Sequence, residues 1–177
     1  MTPIRLSPDR IFYRFHSPQW ASLPISGAGA ARHGGRFNRI GSEALYLSAD
    51  VPTALAEYMQ EASIPQPGTL VAYQLDIDGI IDFSAGFAVG RWPAGFAEFA
   101  CDWKDIAHVQ HLTPPSWEIG DLLVGEGHCG LLFPSTRRLG GVNLVLFTAN
   151  LAATDRIAPY DPNTSLPRDQ SSWPTLP

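Results

Sequence analysis

The chain has 177 residues, one domain's length, and a chain of that size buries enough surface to fold without a disulfide or a metal. Its formal charge of -5 excludes a non-specific nucleic-acid binder, which needs a basic face to displace counterions. No apolar run approaches the length of a membrane span, and no charged-then-apolar leader stands at the N-terminus, so no membrane contact is expected.

Cys101 and Cys129 have neither zinc-ligand nor redox spacing and read as free thiols of a reducing cytoplasm. Charged residues make up only 16% of the chain, which suits a surface partly hidden against a partner. Sixteen glycines and sixteen prolines beside 45% hydrophobic residues predict short elements joined by long structured loops.

Ile11 to Phe15 is a short β-type run that ends at Ser17-Pro18. Ala21 to Ala31 reads as a loop with too little bulk to pack, and Ala44 to Leu47 as a second short strand. Ser48 or Asp50 then caps a helix with Pro52 in its first turn and an apolar stripe of Val51, Leu55, Tyr58 and Ala62. Thr69 to Ile77 alternates Val71, Tyr73, Leu75 and Ile77 against Ala72, Gln74 and Asp76, the clearest strand of the chain. Gly79 is expected to turn the chain into a further strand from Ile80 to Phe83.

Residues 87–113 give no clear pattern beyond a helix over Pro93 to Ala107, interrupted near Cys101-Asp102. Ser116 is expected to cap a helix from Trp117 to about Gly125. Gly130 to Phe133 and Asn143 to Thr148 are apolar strands. The prolines of the last twenty residues predict an extended arm. The whole reads as one α+β domain, with a mostly antiparallel split sheet of short strands plus helices, over residues 1–157, followed by a Pro-rich arm over 158–177.

Several familiar sites are weak or missing. His108 and His111 are spaced to share a helix face, but no third ligand stands nearby, so no metal site is expected. Ser135 lacks the flanking glycines of a hydrolase nucleophile elbow. A P-loop is excluded, because the single lysine, Lys104, lies outside any glycine-rich loop. Gly-Ala-Gly at 27–29 follows no strand and is expected to open no helix, which removes a dinucleotide fingerprint.

The stretch from Gly34 to Glu57 is more informative. Gly34-Gly35 lets the backbone come close to another group, and Arg36 sets a forked cation beside it. Such an arginine either grips a diphosphate or carboxylate, or is satisfied by nearby carbonyls. Tyr46 points opposite to Leu45 and Leu47 and by itself reads as a core tyrosine. Glu57 falls off the apolar stripe of its helix, so periodicity places it in solvent unless another segment closes over the helix. Arg14 is a charge in an otherwise apolar strand, and it needs a partner or a ligand.

Taken in order, Phe12-Tyr13-Arg14, Gly34-Gly35-Arg36-Phe37-Asn38, Leu45-Tyr46-Leu47-Ser48, Ala54-Leu55-Ala56-Glu57 and Leu132-Phe133-Pro134-Ser135 with Asn143-Leu144-Val145-Leu146-Phe147 resemble the RES-domain toxins of bacterial RES–Xre toxin–antitoxin pairs. The resemblance spans about residues 11–150. Phe37 stands where that family often has tryptophan, and Gly140-Gly141-Val142 replaces a more usual acidic or polar lead-in.

The resemblance implies a fold similar to ADP-ribosyltransferases and chemistry on NAD as substrate, without a metal. Arg36, Tyr46 and Glu57 would match the catalytic trio, Ser135 the family serine, and Arg14 a further NAD-contacting arginine. Arg36, Tyr46 and Ser135 would also touch the NAD. The implied activity is cleavage of the nicotinamide–ribose bond by hydrolysis or phosphorolysis, depleting NAD. Transfer of ADP-ribose to a protein, or NAD binding without turnover, are the alternatives left open. The implied partner is a cognate antitoxin, Xre-like with a DNA-binding helix-turn-helix, and homodimerisation is a second assembly that the resemblance allows.

The chemistry suits these residue types. Nicotinamide leaves NAD as a neutral molecule from a cationic ring, so a strong general acid is unnecessary. A carboxylate near the ribose stabilises the positive charge developing there. Glu57 would supply it, Tyr46 a ring for stacking, and the two arginines a grip on the diphosphate. Ser135 would give a hydrogen bond to phosphate or ribose.

Overall fold

The structure, a computed structural model, describes residues 1–173. Among the described residues, seven strands and three α-helices follow in chain order: β1 (Ile4–Leu6), β2 (Ile11–His16), α1 (Ala28–His33), β3 (Ala44–Ser48), α2 (Val51–Met59), β4 (Thr69–Asp82), α3 (Pro115–Gly125), β5 (Gly130–Pro134), β6 (Val142–Phe147) and β7 (Arg156–Pro159). Short 3₁₀ and π turns lie between them. The architecture is a single α+β domain, and every strand pairing is antiparallel except β4 with β5.

The sheet runs β1-β4-β2-β3-β6-β5, with β7 also on β4. The alternation expected of β4 is present, with Val71, Tyr73, Leu75 and Ile77 all buried. It does not end at Ile77, however. Gly79 takes a φ of +78° inside one continuous 14-residue strand, so the glycine bends the strand instead of dividing it. The first half of β4 pairs with β2 and β7, and the second half with β5. That bend lets the sheet return on itself, since β5 closes back onto β4.

The ring is weakest between β2 and β3, which share a single register pair, Tyr13 with Ser48. Beyond that rung the two strands part, and Arg14 and Tyr46 stand on opposite lips of the opening. One core, built on Phe12, Leu47, Tyr73, Leu75 and Leu144, fills one face of the sheet. A second core, with Phe37, Phe83, Phe96, Leu123, Phe133 and Phe147, fills the other. Each fully buried aliphatic or aromatic side chain contributes about 1.5–3 kcal/mol, which explains folding without a cross-link.

Four expectations about the elements need correction. Ala28–His33 is helical, with Gly27 at its N-cap, because Ala28, Ala30 and Ala31 are good helix formers even without bulk. A helix therefore does start within Gly-Ala-Gly, but a 3₁₀ turn and loop precede it where a dinucleotide site would need a strand. Ser116 is no cap: Pro114 holds that place, and Ser116 lies fully buried in the first turn of α3. Finally, Pro93 to Ala107 is not an α-helix but a short 3₁₀ helix over Ala94–Glu98 and a π-helix over Asp105–Val109, with the expected interruption near Cys101-Asp102 between them.

The aromatic rings of Phe83, Trp92, Phe96 and Phe99 hold that irregular segment, with centroids 4.9–5.4 Å apart. At the C-terminal end, β7 crosses residue 157 and pairs with β4, and Tyr160 N–H donates to the Ala72 carbonyl at 2.8 Å. Residues 161–173 continue as turns, while Pro174 and Pro177 of the expected arm lie outside the described residues.

Candidate active site

Helix α2 carries the central carboxylate. Asp50 caps it, accepting the Thr53 N–H at 2.8 Å, so Asp50 and not Ser48 is the cap. The buried face of α2 is Thr53 and Ala54, not the apolar stripe of Val51, Leu55 and Tyr58, which is only partly covered. Small side chains bring α2 close to β2 and β3, and Glu57, one turn beyond Thr53, turns inward with them. Ala62 lies beyond the helix and is exposed.

Glu57 Oε1 accepts two hydrogen bonds, from Ser135 Oγ at 2.7 Å and from Asn143 Nδ2 at 2.6 Å. No described side chain donates to Oε2. The carboxylate lines a cleft of about 820 Å³, within the size range of small-molecule sites. Arg14, Arg36, Tyr46 and Asn143 line it as well.

Ser135 sits behind the carboxylate. Its Oγ accepts the N–H groups of Arg137 and Arg138, both at 3.1 Å, and its own hydrogen goes to Glu57. That hydrogen is therefore not free for a phosphate or ribose in this arrangement. Arg138 ties the same loop to the start of α2 through Thr53 Oγ1 at 3.2 Å and Asp50 at 3.4 Å.

Arg36 is half-buried and largely satisfied by the protein. Its Nη1 donates to the Phe99 and Cys101 carbonyls, both at 3.0 Å, and its Nη2 to Thr136 Oγ1 at 3.1 Å. Burial pushes the guanidinium below its ordinary value, and Cys101, Glu57 and Tyr46 partly offset this. Arg36 thus pins the irregular 99–101 segment against the serine loop.

Tyr46 also holds structure in place. Its hydroxyl donates to Asn38 Oδ1 at 2.8 Å and accepts the Phe37 N–H at 2.9 Å. Burial raises the phenol, so it stays neutral. Gly35 rests on this ring, and a Cβ there would stand 2.6 Å from the Tyr46 oxygen. The close approach that the glycine pair permits is thus to Tyr46, and Trp117 Nε1 fixes it further by donating to the Gly35 carbonyl at 2.7 Å.

Arg14 is different. Its Nη1 is buried without a hydrogen-bond partner, the sole such side-chain atom among the described residues. Burial holds its guanidinium below the ordinary value, with Tyr73 offsetting in part. Beside it, His16 Nε2 lies 2.6 Å from Tyr73 Oη, which donates to the Pro24 carbonyl at 2.8 Å. The imidazole therefore serves as the donor to Tyr73.

Burial, together with the Arg14 charge, lowers His16 to about 4. Between pH 6.5 and 4 the unfolded chain takes up a proton that the folded chain refuses, so stability falls as pH drops through that window. Urea unfolding of the wild type and of His16→Gln at pH 7 and pH 4.5 checks this. The variant is expected to lose about 2 kcal/mol less on acidification; equal losses would remove His16 from the account.

Cys101 and Cys129 are free thiols. His108 packs edge-on against Trp103 at 5.9 Å, and His111 has a φ of +56°. Among the described residues no group of three or more His, Cys, Asp or Glu is placed to hold a metal ion, and no helix is long and apolar enough to cross a membrane.

The structure thus brings Arg14, Arg36, Tyr46 and Glu57 to one cleft and sets Ser135 directly behind it. Asn143 is the site residue to which the sequence assigned no role. The signal available for it was a lone amide among aliphatic residues of a buried strand.

No curated protein matches this chain. Among solved structures, a chain of the M. tuberculosis MbcT–MbcA toxin–antitoxin complex is similar in fold, with a TM-score of 0.60 at 19% identity, covering 90% of this chain and 84% of that one. The family profile of the RES domain matches residues 11–169, so that nearly the whole described domain, cleft included, is accounted for and the chain belongs to the RES domain family.

Proposed function

We propose that the protein is the toxin of a toxin–antitoxin pair and cleaves the nicotinamide–ribose bond of NAD, passing ADP-ribose to water or phosphate. The observation that carries this reading is Glu57, held by two donors on Oε1 with Oε2 left to the cleft. A fixed carboxylate beside the ribose stabilises the charge that develops as nicotinamide leaves, without having to reorganise.

Arg14 supports the fit of the substrate, because a buried, unpartnered guanidinium Nη1 is completed by a diphosphate oxygen. Arg36 adds positive field while its Nη1 hydrogens remain on the wall. Tyr46 offers a ring face already fixed at its hydroxyl. The acidic chain keeps these cations local, which agrees with a small anionic substrate and not with a nucleic-acid strand.

A cognate antitoxin, of the Xre-like kind with a DNA-binding helix-turn-helix, is the partner proposed, by analogy with the complex whose fold this chain shares. The test is direct. Purified protein incubated with NAD should release nicotinamide, read by chromatography, with and without phosphate, while labelled NAD in lysate reports transfer to protein. Absence of nicotinamide at micromolar protein over hours would reject the reading, and labelled protein would move it to ADP-ribosyl transfer.

A further inference from the structure

The hydrogen bonds around Glu57 have a direction that valence alone determines. Ser135 Oγ already accepts two backbone N–H groups, so it meets the carboxylate as a donor. Asn143 must likewise turn its Nδ2 to Glu57, since its carbonyl oxygen would oppose the carboxylate. Its Oδ1 then faces Ser48, whose hydroxyl donates to it at 2.8 Å.

The result is a one-way chain of donors, Ser48 to Asn143 to Glu57, from β3 across β6 to α2. Ser48 and Asn143 are register partners on adjacent strands, and each is only 4% exposed. Neither is required by the core, since a pair of aliphatic residues would fill those strand positions without polar atoms to satisfy. Asn143 also lines the cleft, whereas Ser135 lies behind the carboxylate. The carboxylate therefore has two independent anchors, one on the serine loop and one on the sheet.

We infer that Asn143, oriented by Ser48, is a positioning residue that fixes Glu57 Oε1 toward the sheet and presents Oε2 to the substrate ribose. This rests on the reading of Glu57 as the carboxylate that serves NAD cleavage. A carboxylate held at Oε1 by Ser135 alone can swing about that one bond, and a misplacement of about 1 Å costs on the order of 100-fold in rate.

Steady-state kinetics of nicotinamide release test the relay. Asn143→Ala should lower kcat about 10–100-fold and leave KM for NAD within about threefold, because binding does not run through Oε1. Asn143→Leu keeps the volume and removes the donor without adding a charge beside Glu57, and it should lose at least as much; it covers the case in which the alanine variant fails to fold. Ser48→Ala should cost less, and Ser48→Ala combined with Asn143→Ala should be no worse than Asn143→Ala alone. A folded Asn143→Ala that keeps kcat within twofold, a loss confined to KM, or losses that multiply in the double variant would overturn the proposal.

The chain of bonds is also read without turnover, from the Asn143 side-chain amide protons by NMR. They should exchange slowly in the wild type and lose that protection in Glu57→Ala and in Ser48→Ala; fast exchange in the wild type would overturn the relay. A protected amide in a wild type that releases no nicotinamide would support the relay and reject the NAD reading. Turnover that ignores Asn143 would do the reverse.

Discussion

Glu57→Gln is expected to slow nicotinamide release by about 100–1,000-fold while the fold survives, the scale of losing one electrostatic contact made in the transition state. The substitution is unusually clean here. Gln keeps an Oε1 that accepts from both Ser135 and Asn143, so α2 stays docked on the sheet. What it removes is the negative charge, and it sets an amide NH₂ where Oε2 faced the cleft. Thermal unfolding should therefore change little, and NAD affinity, read by calorimetry, should stay within about tenfold, as only charge developing during reaction is opposed. A variant that turns over at the wild-type rate would remove Glu57 from the chemistry, whatever the role of its neighbours.

Arg14→Met is expected to move stability and binding in opposite directions. The guanidinium lies in the cleft wall with Nη1 unpartnered and no carboxylate paired to it among the described residues. Exchanging a buried unpaired charge for an apolar chain of similar length should stabilise the free protein by about 1–3 kcal/mol. On the proposed NAD reading the same exchange deletes a charge-assisted hydrogen bond to the diphosphate, worth about 1.5–3 kcal/mol, so NAD affinity should fall about 10–100-fold. Urea unfolding and calorimetry measure the two effects separately. A variant that is less stable, and still binds NAD like the wild type, would mean that Arg14 serves the fold and not the ligand.

The strands were legible in the sequence because a half-buried strand writes its face every second residue, as Val71, Tyr73, Leu75 and Ile77 do. The sequence predicts helix α2 but not which face it buries. Its largest side chains suggested one buried face, whereas the close approach to the sheet selected the smallest, Thr53 and Ala54, and took Glu57 in with them. Helix α1 leaves no pattern in the sequence for the opposite reason, as alanine-rich helices carry propensity without periodic bulk.

The site divides along the same line. Single residues such as Arg14 announced themselves as charges out of place. The links between them did not, because Glu57 with Ser135 and Glu57 with Asn143 join positions 78 and 86 residues apart. Only the return of β6 beside β3, with β5 beside β6, creates those pairs. For Arg36 the sequence leaves a ligand grip and a carbonyl-satisfied arginine open; the structure sets Nη1 on two carbonyls and Nη2 on Thr136, with Arg36 still lining the cleft.

The single rung between Tyr13 and Ser48 has a consequence for how a ligand is received. The two lips it joins are also connected the long way round, through β4, β5 and β6. The cleft is thus a notch in a closed ring and not a gap between hinged lobes. Its strand walls are held in register by folding itself, so the cost of ordering them is met before any ligand arrives. On that side, a ligand meets the shape and charge of a ready-made slot, as in a mould.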